Sequence, residues 1–125
     1  MNLWNKIFGK KELKVKAGNA PFPDGGIHYC KKNGLENMNI IFIVDTPENI
    51  MVGESPIGTM LVFNYIMDAE YCFSVIVPDS ADEVQTKIKN NSGTMVVSGK
   101  LSDRDYTSAS GEIFCPIIGS IKKMN

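Results

Sequence analysis

The sequence predicts an α+β domain that is mostly β. The expected form is a small five-stranded barrel of the oligonucleotide-binding (OB-like) type, or an antiparallel sheet, with one helix at about 80–90 and a short N-terminal helix. Three observations carry this expectation. Runs rich in β-branched and aromatic residues recur at 35–45, 59–67, 71–77, 94–101 and 112–121. One capping-box sequence, Ser80-Ala81-Asp82-Glu83, stands between the third and fourth of these runs. The length of 125 residues, with 43% apolar and 22% charged side chains, suits one globular domain with a substantial core.

At the N-terminus, Leu3, Trp4, Ile7 and Phe8 share one face at helical spacing, and Gly9 limits the pattern to about two turns. A helix that short is marginal alone. Residues 1–12 are therefore read as an amphipathic segment docked on a single domain, 13–125. Its alternative is a membrane-surface foot, with Trp4 at the interface and Lys6, Lys10, Lys11, Lys14 and Lys16 toward anionic lipid. Residues 18–26 are turn-formers. The Asn33-Gly34 pair then predicts a hairpin between strands at 27–32 and 35–45. In the second arm apolar residues lie on both faces, which predicts a central strand.

Residues 45–58 read as a long connection. Segments 59–67 and 71–77 read as strands joined by Asp68-Ala69-Glu70, with a helix from Ser55-Pro56 through Tyr65 as the rival. The helix after Ser80 buries Ala81, Val84 and Ile88 and stops at 90–93. Two strands follow across a polar loop, and Pro116 places the last at an edge or a bulge.

Charge is the strongest functional signal. Between Lys32 and Lys87 there is no lysine, arginine or histidine, yet nine acids occur: Glu36, Asp45, Glu48, Glu54, Asp68, Glu70, Asp79, Asp82 and Glu83. Residues 1–16 instead hold five lysines against Glu12. A field of one sign selects and steers oppositely charged partners. Asp79, Asp82 and Glu83 are explained by the helix N-terminus they surround. Asp45, Glu48, Glu54, Asp68 and Glu70 would form one patch if the loops at 45–58 and 68–70 met at one end of the sheet, with Met51 and Ile50 as apolar anchors.

Motifs for chemistry are few. His28 and Cys30 would share a strand face, but no second Cys or His pair stands near them to complete a metal site. Three widely spaced cysteines argue against a disulfide framework and fit a reducing, cytoplasmic setting. Gly25-Gly26 precedes a strand rather than a helix, and Asp103-Arg104-Asp105 lacks the rest of a calcium loop. No catalytic residue, cofactor or metal is expected. Phe63, Tyr65, Tyr71 and Phe73 could offer a base-stacking surface, but Asp68 and Glu70 sit between them and no cation does. They are expected in the core.

The resulting expectation is a non-enzymatic, cytoplasmic binding protein of bacterial type with an acidic docking face for a basic protein partner. Its sharpest form is an immunity protein or inhibitor of a nuclease-type toxin, with no nucleic acid or membrane as partner. The alternatives are an OB-like module that binds single-stranded nucleic acid or assists a nucleic-acid complex, using Lys87, Lys89, Lys100 and Arg104 or the N-terminal lysines, and a membrane-surface accessory protein. Deleting residues 1–10 should leave a folded domain of lower stability with unchanged membrane partitioning. Loss of co-sedimentation with anionic vesicles on this deletion would establish the membrane foot instead.

Overall fold

The computed structural model describes residues 10–18, 24–90 and 93–122. The N-terminal helix expected over 3–8 lies outside them. The strands are β1 (Lys10–Ala17), β2 (Asn39–Val44), β3 (Met51–Ser55), β4 (Gly58–Ile66), β5 (Glu70–Val77), β6 (Met95–Leu101), β7 (Tyr106–Thr107), β8 (Ile113–Phe114) and β9 (Ile117–Lys122). The helices are α1 (Ile27–Asn33) and α2 (Ala81–Lys89). Six strands close in the order β1-β2-β6-β9-β5-β4, and β4 returns to β1; β3 hangs from β4. The fold is thus α+β and mostly β, as expected, but its barrel has six strands rather than five. It is also mixed, because β1 runs parallel to β2 and β5 parallel to β9.

Side chains alternate across each strand, and one set fills the barrel. Leu13 and Val15, Ile40, Phe42 and Val44, Leu61 and Phe63, Phe73, Val75 and Val77, Met95 and Val97, and Ile117 are buried together. Phe42 is the hub, with ring centroids 5.3 Å from Phe63 and 5.1 Å from Phe73. The first pair is tilted and the second edge-on, and aromatic contacts at these distances add to the gain from area alone. The strands β4 and β5 were legible, and the rival helix over 55–65 does not form.

Two strands correct the expected connections. In β1 the pattern Leu13, Val15, Ala17 points inward while Glu12, Lys14 and Lys16 are exposed, so a barrel strand not expected from the sequence runs across the segment boundary placed at 12–13. The long connection 45–58 contains a 3-10 turn, Pro47–Asn49, and the short strand β3. The last strand is interrupted at Pro116, giving β8 and β9 in place of one run over 112–121.

The hairpin expected at 27–45 is a helix and a strand. Asn33-Gly34 does supply positive φ, but Gly34 (φ 67°) ends a helix, and the Leu35 N–H donates to Cys30 O at 2.8 Å. Asp24 organises the other end, accepting from the Gly26 N–H at 2.7 Å. Lys31 and Lys32 occupy the last turn, where cations suit the helix dipole. Tyr29 packs its ring against Tyr65, Tyr71 and Phe73 and so plugs the barrel mouth where β5 begins.

α2 lies at the opposite mouth. Its capping box is present: the Glu83 N–H donates to Ser80 Oγ, and the Ser80 N–H donates to Glu83 Oε1. Thr59 Oγ1 donates to Asp79 O at 2.7 Å, tying the start of the helix to β4, while Val84 is fully buried.

Gly99 and Gly119 face each other across β6 and β9, and a Cβ on Gly119 would lie 2.0 Å from Ser98 O. Here the backbones approach too closely for any side chain. Gly119→Ala should therefore lower the denaturation midpoint. Phe73→Ala should cost about 3–5 kcal/mol by cavity formation. Equilibrium urea unfolding measures both, and an unchanged midpoint for Phe73→Ala would refute the central role of the aromatic hub.

Candidate functional site

Of the seven residues singled out for docking, Ile50 is buried in the core, and the other six fall into two groups. Asp45 follows β2, Glu48 sits in the 3-10 turn, and Met51 and Glu54 lie on β3. Asp68 and Glu70 lie where β4 turns into β5. β4 itself separates them: Glu54 pairs with Thr59 at one end of that strand and Glu70 with Ile66 at the other. At 3.3 Å per residue this is about 23 Å along the strand. The single patch uniting both loops therefore does not form. All five acids are exposed, and Met51 is 50% exposed.

Electrostatics separates the groups further. Asp68 is bound by Lys32 of α1 and accepts from Tyr71 Oη at 3.0 Å. The hydrogen bond from Lys32, then that from Tyr71, holds the Asp68 carboxyl below its usual range, and Lys32 is raised correspondingly. At the other mouth Lys87 pairs with Asp79. The two lysines that bound the cation-free stretch are thus both engaged with acids inside it. Asp45, Glu48 and Glu54 form no ion pair among the described residues.

Packing places Glu48 and Glu54 near α2, because that helix touches the 3-10 turn, β3 and β4, and the turn also touches β1. Asp82 is exposed on the first turn of α2, whereas Glu83 is occupied by the capping box. This mouth is thus acidic on its β2–β3–α2 side. It borders the outward lysines of β1, Lys14 and Lys16.

Sequence reasoning missed a cleft of about 350 Å³ beside this mouth. Its floor is a row across three strands, Gly53, Met60 and Ile76. One wall is the β3–β4 hairpin at Ser55 and Pro56; the other is Tyr106, Ser108 and Phe114 from the β7–β8 flap. Three of its hydroxyls are already engaged. Ser55 Oγ donates to Gly58 O at 3.1 Å, Ser108 Oγ accepts from the Glu112 N–H at 3.1 Å, and Tyr106 Oη accepts from Arg104 at 3.3 Å. The cleft is therefore mostly apolar, with Glu54 and Thr107 also in its lining. The available signal was apolar residues on both faces of β4 and β5, which demands cover on the outside as well as a core within.

Nucleophile chemistry has no support in the cysteines. All three are free and buried; burial pushes the Cys30 and Cys72 thiols up to about 12 and Cys115 up as well. So little thiolate exists near neutral pH. His28 and Cys30 do not share a face, because on a helix a spacing of two points them apart: His28 is exposed and Cys30 is buried. No group of three or more metal-ligating side chains comes together among the described residues. Nor is any helix among them long and apolar enough to cross a membrane.

No protein-family model matches the chain, and no curated protein matches it in sequence.

Asp68 should titrate below the ordinary carboxylate range, and Lys32→Ala should move it back up. Because its folded-state value is depressed, its contribution to stability is present at neutral pH and is lost as pH falls through that value. Side-chain carboxyl NMR through an acid titration measures this; an Asp68 titration indifferent to Lys32→Ala would eliminate the ion pair as its cause.

Proposed function

We propose that this protein is a non-enzymatic binding protein whose acidic mouth docks a basic protein partner. The sharpest form of the reading is an immunity protein or inhibitor that occupies the cationic groove of a nuclease-type toxin. The observation that carries it is the run Asp45, Glu48 and Glu54, exposed at one barrel mouth and without ion-pair partners among the described residues. It is reinforced by the lack of any cation from 33 to 86 and by the engagement of both bounding lysines elsewhere. A nuclease groove is built to hold phosphates, so carboxylates spaced on a rigid loop are a chemically reasonable stand-in. Asp68 and Glu70 lie at the far mouth and are not part of this surface.

The second reading is an OB-like module for single-stranded nucleic acid. It draws on the closed barrel and on Lys14 and Lys122, which lie in one outward row with Ile43 and Val96. Against it, Phe63 and Phe73 are wholly buried and Tyr71 nearly so, which leaves the half-buried Tyr65 alone of the four aromatics, too little for a stacking platform on β4 and β5. Lysines without stacking give weak, strongly salt-dependent binding.

Reversing Asp45, Glu48 and Glu54 to lysine together should leave the fold intact, since exposed substitutions usually change stability by only about ±0.5 kcal/mol. Affinity capture from source cells should recover a basic protein with the unmodified chain. The reversed variant should associate with that protein more slowly, with the difference shrinking as salt is raised. An unchanged on-rate at low salt would end the acidic-mouth reading. Binding of a fluorescent single strand at micromolar affinity or tighter in about 50 mM salt would promote the second.

A further inference from the structure

Among the described residues, β3 is the one strand of the seven-stranded sheet that pairs on a single side. It ends the strand order, bonded only to β4, and none of its five residues is buried. Its pairing fixes which groups face outward. The Pro56-Ile57 turn closes on the pair Ser55 and Gly58, so Ser55 and Gly53 exchange hydrogen bonds with β4, whereas Val52 and Glu54 are non-hydrogen-bonded positions. The N–H and C=O groups of Val52 and Glu54 consequently point away from β4, along an edge that no described strand covers.

Gly53 lies between them and lines the cleft. A Cβ there would meet only Met60 Cε, at 3.2 Å, and its φ is not in the left-handed region. The missing side chain therefore reflects neither backbone strain nor a backbone clash; it leaves the floor over Met60 and Ile76 open toward the strand edge. A strand added beside β3 would place the residue opposite Gly53 on this same face, next to the cleft. With about 350 Å³ available, the cleft has room for one or two large apolar side chains. Glu54 stands on the edge itself, and Glu48 and Asp45 precede it on the same connection.

From this geometry we propose that β3 receives an extended segment of the basic partner as an added strand. An apolar side chain of that segment seats over Gly53 in the cleft, and its lysines or arginines face Glu54 and Glu48. The proposal rests on the acidic-mouth reading and adds to it the mode of recognition. Main-chain bonds to Val52 and Glu54 supply affinity independent of sequence, the cleft selects an apolar residue, and the acids select the charge of its neighbours.

The test uses an acetylated heptapeptide alternating lysine with leucine as probe, titrated into the full ¹⁵N-labelled chain at about 50 mM salt, where charge attraction is strong. Binding should shift the amides of Val52, Gly53, Glu54, Met60 and Ile76. The same peptide N-methylated at alternate residues, or carrying glutamate for lysine, should bind at least tenfold more weakly. Gly53→Leu, which fills the cleft from its floor, should weaken the lysine–leucine peptide at least tenfold while retaining the native amide spectrum elsewhere. Glu54→Lys, at an exposed position, should do so in a salt-dependent way. Absence of binding by the unmodified chain, or binding that shifts other amides and ignores Gly53→Leu, overturns the strand-addition mode. Neither result touches the acidic-mouth reading, which stands or falls on the on-rate of the Asp45, Glu48 and Glu54 reversal against the captured protein.

Discussion

One edge of β4 is shared between two strands, and much of the architecture follows from how it is divided. β1 takes Phe63 and Asn64, which closes the barrel; β3 takes the remainder, from Gly58 to Val62. The handover occurs just past the end of β1 at Gly18, which adopts φ 72° and donates its N–H to Val62 O at 2.9 Å. A Cβ there would lie 2.4 Å from Asn49 O. Only glycine fits both the turn and the passing 3-10 segment. Because β1 ends at this point, β3 can enter beside it, carry the β3–β4 hairpin beyond the closed barrel and wall the cleft. Closure shortens the edges of the other barrel strands, and among the described strands of this sheet β3 is the one with a whole side unpaired.

The charge distribution depends equally on the helices. As a helix, α1 carries Lys32 across to Asp68 and Tyr71 at one mouth. At the other, the eight-residue step from Asp79 to Lys87 spans the first two turns of α2 and closes a second ion pair. The first pair is exposed on both sides and contributes little to stability, whereas in the second Asp79 is mostly covered. Their larger consequence is for the field, since each cancels an acid locally. That leaves Asp45, Glu48 and Glu54 unpaired among the described residues on the connection from β2 to β3, and Glu36 and Glu70 unpaired away from it. Three acids of the cation-free stretch thus share one mouth.

Much of this was legible in the sequence, and the failures have physical causes. β4, β5 and α2 announce themselves through long β-rich runs and a capping box, both local signals. α1 was hidden because positive φ at Asn33-Gly34 serves a helix stop as well as a hairpin turn, and seven residues give too little periodicity to decide. In β1, the alternation of Leu13, Val15 and Ala17 was overshadowed by the lysines between them. Parallel pairing of β1 with β2 and of β5 with β9 joins residues distant in sequence, which no local pattern encodes. The separation of Glu54 from Asp68 was available in principle: a strand expected at 59–67 already forces the loops before and after it to opposite ends. The cleft was not available, since its floor and walls come from three strands and a flap that closure alone brings together.

An open strand edge is ordinarily a hazard, because a second copy can pair with it. The composition of β3 argues against that outcome here. Two copies meeting antiparallel about Gly53 would set Val52 of each opposite Glu54 of the other, placing a carboxylate over an apolar neighbour twice. The same pairing would bring Glu48 and Glu54 of both copies into one region, without a cation from either copy's 33–86 stretch to relieve the repulsion. A strand bearing lysine or arginine meets neither penalty. Its charges oppose carboxylates, and its apolar residues find the floor that Gly53 leaves uncovered. The features that would make β3 a poor edge for self-association are thus the ones that suit it to a basic partner, so solubility and specificity place the same demand on this short strand.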